Sequence, residues 1–347
     1  MTSQIDIFSV SKNDIDRGKF DAVEQRSQDL LDIFTGVIDK TLCLTPDLSR
    51  TLAATSGQED LADSFWCIFE PENLGDLYRY FVSIGATCVV TQTAGCSESQ
   101  LRDQALVSAV EKGCIQACEQ AYSPGAPFVL GMMGPTGDWQ HIDDAKNPIC
   151  DFDELDPYDE EGRCPLNEAM VRRVKMCAME QASALCQGDA QGFVLDAKSV
   201  FEAVTMVEGI RLASDRPLIV NLYPKDQELS DLRQALGNDS AISEVADLEA
   251  IEACRLGTAI KWLLDSGATT IGFQFSDMTC ALANLDIMRM VQKAFHIKMM
   301  LSVENLQCTQ DDYAQNAATK IKNSGISLIR ALDSTDSCGI ARLYAFI

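Results

Sequence analysis

The sequence predicts a single closed (β/α)8 TIM barrel, and three observations lead to this fold class. Eight short apolar runs alternate with longer segments whose apolar residues recur at helical spacing. A glycine ends the helical segment directly before several of these runs, at Gly85, Gly267 and Gly325, as at many helix C-termini. The chain has 347 residues, a length that one barrel with insertions uses.

An open, doubly wound sheet is the alternative arrangement for strands that alternate with helices. That fold would carry a Gly-x-Gly-x-x-Gly turn after an early strand, and the sequence has none there. We therefore expect eight parallel strands closed into one barrel over residues 41–347, preceded by an N-terminal helical extension over residues 1–40.

The predicted strands are apolar runs bounded by turn residues, as expected of parallel strands buried on both faces. One run ends in the turn Gly134-Pro135-Thr136-Gly137, where the proline and glycines prevent the strand from continuing. The eight predicted strands are residues 41–45, 86–93, 127–133, 192–196, 217–223, 269–276, 297–303 and 326–332.

The predicted helices follow these strands. In the N-terminal extension, Phe20, Leu30 and Phe34 can share one face, so we expect this helix to cover one end of the fold. Two acidic insertions are predicted, near residues 138–165 and 225–247, and the first is expected to lie over the barrel mouth as a lid. The other predicted helices are residues 72–85, 97–121, 167–188, 199–213, 248–267, 283–295, 311–325 and 338–347.

Composition limits the partners and the compartment. The net charge of −24 and the pI of about 4.3 argue against binding to nucleic acid or to anionic membrane surfaces. No apolar run approaches the length of a membrane span, and the first residues lack a signal-peptide pattern, so we expect a cytoplasmic protein. We expect most of the 14 cysteines to be reduced.

In a (β/α)8 barrel, chemistry takes place on the loops that follow the strands. Asp196 directly follows four residues of an apolar run, and a carboxylate there can bind an amine or act as an acid–base group. We therefore predict that Asp196 is catalytic, the alternative being a carboxylate that only accepts loop hydrogen bonds. The predicted substrate-binding residues, which also follow strands, are Asp47, Gln92, Thr93, Gly134, Gly137, Glu304 and Asn305.

A metal site is a further hypothesis. Cys280, Cys308 and Cys338 each lie a few residues beyond the sixth, seventh and eighth predicted strands. Adjacent strands carry adjacent loops, so three thiolates could converge on a zinc ion with one open position. The alternative is that these are unligated packing thiols, because none has the short Cys-x-x-Cys spacing of a strong zinc motif.

The order of several segments resembles the homocysteine S-methyltransferase (homocysteine-binding domain) family. The matching features are Gln92-Thr93 after the second strand, Gly-x-x-Gly-Pro at residues 131–135, Asp196 after the fourth strand, and Glu304-Asn305 after the seventh. The resemblance covers residues 41–340.

The chain also departs from the family pattern. The first strand leads into Thr45-Pro46-Asp47 rather than an Asp-Gly-Gly-like turn. The resemblance implies zinc cysteines after the sixth and eighth strands, where this chain has Phe275 and Leu332-Asp333. The usual zinc cysteines are therefore not matched.

The resemblance implies a methyltransferase that moves a methyl group to or from a thiol, an onium compound or a corrinoid. Its partners would be a small-molecule methyl donor or acceptor, or a corrinoid protein. The alternative is a non-catalytic binding or partner protein that kept the barrel but lost the zinc site.

Overall fold

The eight strands form one closed, all-parallel barrel in the order β1 to β8, so the predicted fold class is confirmed and the open sheet is wrong. The structure is a computed structural model. It describes residues 12–57, 61–102, 106–122, 124–136, 168–197, 199–236 and 254–347.

The strands lie where the apolar runs predicted them, with ends that shift by a few residues. The first two are only three residues long, whereas β7 extends two residues further than expected and so includes the positions of Glu304 and Asn305. The strands are β1 Leu42–Leu44, β2 Cys88–Val90, β3 Phe128–Met133, β4 Gly192–Asp196, β5 Leu218–Leu222, β6 Thr270–Asp277, β7 Met299–Asn305 and β8 Leu328–Ala331.

The helices surround the barrel, and one prediction about them needs correction. The segment predicted as one helix over 97–121 is divided into two α-helices separated by a 3₁₀ turn at Val107–Ala109. The segment 48–70 contains two short helices. The helices are α1 Lys12–Thr35, α2 Ser49–Ser56, α3 Asp63–Phe69, α4 Pro71–Ser83, α5 Glu98–Arg102, α6 Val110–Tyr122, α7 Glu168–Gln187, α8 Val200–Ala213, α9 Asp226–Leu236, α10 Arg255–Asp265, α11 Met278–Ala283, α12 Leu285–Phe295, α13 Asp311–Asn323 and α14 Ser337–Phe346.

The two expected insertions fall mostly outside the described residues. All of 138–165 lies there, so the lid prediction stays a prediction. The described part of 225–247 is the helix α9, and residues 237–253 lie outside. None of the helices in the described ranges combines the length and apolar composition that a bilayer-spanning segment needs.

Side-chain alternation along the strands divides the core into two layers. In β4, Phe193 and Leu195 pack outward against the helices, and Val194 packs inside the barrel. The interior cluster also contains Leu30 and Phe34 of α1, which lie with the first residues of the strands. Helix α1 therefore closes the N-terminal end of the barrel, as its apolar face predicted.

Candidate functional site

A layer of polar side chains lies at the C-terminal ends of the strands, above the apolar interior. The Asn221 side-chain amide donates to Gln274 Oε1 at 3.1 Å, and the Gln274 amide donates to Glu304 Oε1 at 2.8 Å. Ser302 Oγ donates to Asn221 Oδ1 at 3.3 Å. These bonds join β5, β6 and β7 across the top of the barrel, so the polar groups satisfy one another and hold fixed positions.

A cavity of about 240 Å³ opens above this layer. Its wall carries four carboxylates and one guanidinium group, so its electrostatic potential favours a positively charged ligand. Ligand cavities at the C-terminal face are the rule in barrels of this kind. The residues that line it are Asp47, Ser49, Arg50, Asp196, Tyr223, Gln274, Glu304, Leu332 and Asp333.

Asp196, the predicted catalytic residue, lies at the end of β4 and lines the cavity. Its Oδ2 atom is 3.8 Å from Arg330 Nη1. Its Oδ1 atom is buried and has no hydrogen-bond partner among the described residues. Burial raises the pKa of Asp196, while the charge of Arg330 and the amide of Asn221 oppose this rise.

Asp47 lies on the opposite side of the cavity in a compact hydrogen-bonded cluster. Its Oδ1 atom accepts bonds from Ser49 N at 2.8 Å, Ser49 Oγ at 2.6 Å and Gln92 Nε2 at 3.0 Å. Ser49 Oγ also lies 2.9 Å from Asp63 Oδ1, behind the cavity wall. Burial, reinforced by the nearby charge of Asp47, raises the pKa of Asp63 to about 6.

The hydroxyl of Ser49 has one proton, yet it lies within hydrogen-bond distance of carboxylates of both Asp47 and Asp63. Gln92 donates to the same hydroxyl at 2.8 Å. Both carboxylate contacts are satisfied together when Asp63 is protonated and donates to Ser49, which in turn donates to Asp47. The cluster therefore holds a proton next to the cavity at mildly acidic pH.

The remaining predicted substrate-binding residues lie away from the cavity wall. Gln92 supports Asp47 and also accepts a bond from Leu48 N at 3.1 Å. Thr93 is fully buried and donates to Met132 O at 2.6 Å, so it ties β2 to β3. Asn305 donates to Ser276 O at 3.1 Å and does not line the cavity. Among the described residues, Gln92, Asn305 and Gly134 are therefore not part of the cavity wall that Asp196 lines.

The turn after β3 has a packing role in the described residues. A Cβ atom on Gly134 would lie 2.9 Å from the Cβ of Ala94, so only glycine allows this close approach. Thr136 N and Oγ1 both donate to the buried Glu202 carboxylate, at 3.0 and 3.1 Å. Gly137, also predicted to bind substrate, lies outside the described residues.

The structure does not bring Cys280, Cys308 and Cys338 together. Cys308 is buried, its Sγ lies 3.5 Å from Leu306 O, and burial raises the pKa of its thiol to about 11. Cys338 is exposed, and Cys280 is half-buried on α11. In the described ranges, no three His, Cys, Asp or Glu side chains are grouped so that they could hold a metal ion.

Sequence reasoning missed several residues of this region, among them Ser49, Arg50, Asp63, Tyr223 and Arg330. Arg330 had a usable signal, because it is a single charge within the apolar run 326–332. Charged groups in such runs are rarely buried without a partner. Arg50 and Asp63 had no such signal, since both lie among other polar residues.

A family model for homocysteine S-methyltransferase matches residues 47–261, more than half of the chain. No curated protein sequence matches the chain significantly. Among solved structures, the chain is similar to the metallated form of the homocysteine methyltransferase MmuM from Escherichia coli, with a TM-score of 0.62 and 15% identity. That match covers 92% of this chain and 99% of MmuM. The oxidized form of MmuM matches with a TM-score of 0.58 and 16% identity, over 88% of this chain and 95% of MmuM.

Proposed function

The chain belongs to the homocysteine S-methyltransferase family, and from this premise we propose that it transfers a methyl group from a small onium compound to a thiol in the cavity above the barrel. The observation that carries the proposal is the charge of the cavity wall, where Asp47, Asp196 and Glu304 face the same space. A sulfonium or quaternary ammonium ion has a diffuse positive charge that such carboxylates attract.

The family resemblance implies zinc, but the described residues of this chain do not fit it. At the positions where the family has cysteines, Phe275 is packed in the outer core and Leu332 offers no ligand atom. Asp333 is already engaged, because its Oδ2 accepts from Arg50 at 2.8 Å and its Oδ1 from Thr335 N at 2.9 Å. These residues therefore offer no ligands for a zinc ion that would ionise the acceptor thiol.

Without such a metal, the thiol proton needs another acceptor. We assign this role to the Asp196 carboxylate, which lines the cavity and whose Oδ1 atom has no hydrogen-bond partner in the described chain. The thiol sulfur attacks the methyl carbon, the bond from that carbon to the onium atom breaks, and its electron pair leaves with the neutral product. The thiol proton moves to Asp196. The products are a methyl thioether, the demethylated donor and a protonated carboxyl group.

The charge of the cavity wall also supports an onium ion as the methyl donor. Methyl transfer from a sulfonium ion converts a cation into a neutral thioether, so the acidic cavity binds this donor more strongly than its demethylated product. Tyr223 adds an aromatic group to the same wall, and aromatic faces also attract onium ions. Both features favour a charged methyl donor over an anionic one.

The test is methyl transfer to homocysteine from dimethylsulfonium and trimethylammonium donors that carry an isotopic label in the methyl group. We expect transfer by the unaltered protein and a loss of kcat/KM of roughly 100-fold or more in Asp196→Asn. The matched control is Asp76→Asn, which removes the same charge from the exposed surface of α4 and should change kcat/KM less than about twofold.

Three outcomes would change the proposal. Transfer only from a methylated corrinoid protein would replace the small onium donor with a protein partner. Tight binding of onium compounds without transfer to any acceptor would favour a binding protein that kept the barrel. Equal activity in Asp196→Asn and the unaltered protein would contradict the role of Asp196.

A further inference from the structure

Arg330 is a charged residue inside the barrel that the described fold does not explain. It lies in β8 between Leu44 of β1 and Ser302 of β7, and its side chain is only 3% exposed. A guanidinium group at such a depth is costly unless it is paired and hydrogen-bonded. Its neighbour Ser302 belongs to the polar layer, so Arg330 places a positive charge at the level of that layer.

The contacts of Arg330 are few for a buried arginine. Its Nη1 atom lies 3.8 Å from Asp196 Oδ2 and 3.7 Å from Met132 Sδ. Its Nε atom has no hydrogen-bond partner among the described residues. A pair built for stability would show the bidentate geometry that arginine and carboxylate readily adopt. The loose geometry argues that Arg330 acts mainly through its charge.

That charge acts on one oxygen of Asp196 and leaves the other free. Arg330 lies on the Oδ2 side, whereas Oδ1 has no partner in the described chain. Asp196 lines the cavity and Arg330 does not, so Arg330 lies behind the carboxylate relative to a ligand. This arrangement places a positive charge next to the carboxylate on the side away from a ligand.

We propose that Arg330 is a positioning residue that keeps the Asp196 carboxylate ionised, so that Asp196 can act as the proton acceptor at the cavity. The role of Asp196 as proton acceptor rests on the proposed function. The effect of Arg330 on the ionisation of Asp196 does not depend on it. Removal of Arg330 leaves Asp196 with burial and acidic neighbours, all of which favour the protonated and inactive form.

Several other groups around the pair also influence the ionisation of Asp196. Asp47 and Glu304 line the same cavity and repel a negative charge on Asp196. Tyr223 lies beside Asp196 at the end of β5, and burial raises the pKa of its phenol out of the physiological range. Tyr344 lies beside Arg330 and is buried and neutral for the same reason. The two carboxylates favour protonation of Asp196, whereas Arg50, which lines the same cavity, opposes it.

The experiment is a pH titration of Asp196 by NMR in protein labelled with ¹³C at the aspartate side-chain carboxyl. The Asp196 signal is assigned by its absence in Asp196→Asn. In Arg330→Met, which replaces the charge with an apolar side chain of similar volume, we expect the titration midpoint to rise by about one to two pH units. Arg330→Lys restores a positive charge and should return the midpoint most of the way.

A purely structural role for Arg330 would lower the thermal stability of Arg330→Met without moving the midpoint, and this result would overturn the proposal. Arg330→Gln provides a second uncharged variant if the methionine variant does not fold. A failure of the proposed function can be distinguished from a failure of the proposed role of Arg330. If no methyl transfer is found but the midpoint moves as expected, the role of Arg330 stands and the reaction assignment falls.

The same variants give a kinetic reading in active protein. The acidic limb of the pH profile of kcat/KM should move upward in Arg330→Met by the same interval as the NMR midpoint, and return in Arg330→Lys. An acidic limb that stays in place while the NMR midpoint moves would mean that Asp196 is not the proton acceptor.

Discussion

The two ends of the barrel are built by the same eight strands, yet they are filled in opposite ways. At the N-terminal end, Leu42, Phe128 and Leu328 begin their strands and pack against Phe34 of α1 in an apolar cluster. At the C-terminal end, the interior positions carry polar and charged groups such as Asp196 and Arg330. One end is closed and apolar, and the other is open and polar, so stability and chemistry are assigned to separate ends.

Charge is divided between the two ends as well, and helix geometry accounts for part of it. Lys293, His296 and Lys298 line a cavity at the ends of α1, α12 and α13, where helix C-termini carry partial negative charge. Asp277 and Asp336 cap helix N-termini at the mouth, accepting from Cys280 N at 2.8 Å and Gly339 N at 2.9 Å. These charges therefore have structural explanations.

Asp196 has no comparable explanation, because it caps no helix N-terminus in the described chain, whereas Asp47 accepts from Ser49 N at the start of α2. Helix α8, which follows Asp196, is capped by Ser199, whose hydroxyl accepts from Glu202 N. The comparison thus separates acidic residues that any barrel needs from those that remain for chemistry.

The largest effect is expected from a loss of packing at the closed end. It tests whether stability and ligand binding belong to separate ends of the barrel. Phe34→Ala removes a fully buried ring from the apolar cluster beneath the strands. We expect a loss of about 3–5 kcal/mol in the free energy of unfolding, measured by urea denaturation. The affinity of the mouth for onium compounds should remain unchanged in the folded variant.

The matched control for the closed end is Phe69→Ala, since the Phe69 ring is 52% exposed. It should lose less than about 1 kcal/mol. If the two variants lose equal stability, or if Phe34→Ala weakens ligand binding without unfolding, the two ends are coupled and the division is wrong.

A smaller effect is expected at the mouth, where stability depends on pH. The pKa of Asp63 is about 6 in the folded protein, against an ordinary value of 3.8. Between these values the folded protein keeps a proton that the unfolded chain has lost, so stability decreases as pH rises from about 4 to about 6. Asp63→Asn mimics the protonated form and removes this decrease.

We therefore expect Asp63→Asn to stabilise the protein above pH 6 by up to about 3 kcal/mol, and to leave its stability unchanged below about pH 4. Urea denaturation of both proteins across this pH range measures the difference. Asp76→Asn, on the exposed surface of α4, is the matched control for the removal of a carboxylate. A pH-independent gain in Asp63→Asn would contradict the shared proton in the Asp47 cluster.

The fold was predictable because strand burial and helix ends are local properties of the sequence. The predicted helix-ending glycines Gly85, Gly267 and Gly325 all have positive φ angles, of 117°, 116° and 75°. Backbone conformations of this kind favour glycine strongly, so the residue marks the position.

The site was predictable only in part, because the position of a residue after a strand does not tell which way its side chain faces. The side chains of Asp196 and Glu304 line the cavity, whereas the Thr93 hydroxyl donates a hydrogen bond in the contact between β2 and β3. The apolar run 326–332 predicts a buried strand, but it does not reveal the partner of the charged Arg330 within it. Such contacts between distant strands are fixed by the closure of the barrel.

The smallest expected effect concerns the ion pair between Arg50 and Asp333 at the rim of the mouth. The two groups lie 2.8 Å apart, but the Arg50 side chain is 68% exposed, so water and salt screen the attraction. Arg50→Gln should therefore change the free energy of unfolding by less than about 1 kcal/mol. Arg233→Gln, which breaks an exposed pair with Asp286 away from the mouth, should change it by a similar amount.

The two arginine variants should differ in their effect on ligand binding. Arg50 is the one guanidinium group among the residues that line the cavity, so its loss makes the cavity more negative. We expect Arg50→Gln to tighten the binding of tetramethylammonium by about two- to fivefold at low salt, and this gain should fade in 1 M salt. Arg233→Gln should leave the affinity unchanged, because Arg233 does not line the cavity. Weaker binding in Arg50→Gln would mean that the mouth favours an anion, and the assignment of an onium donor would fall.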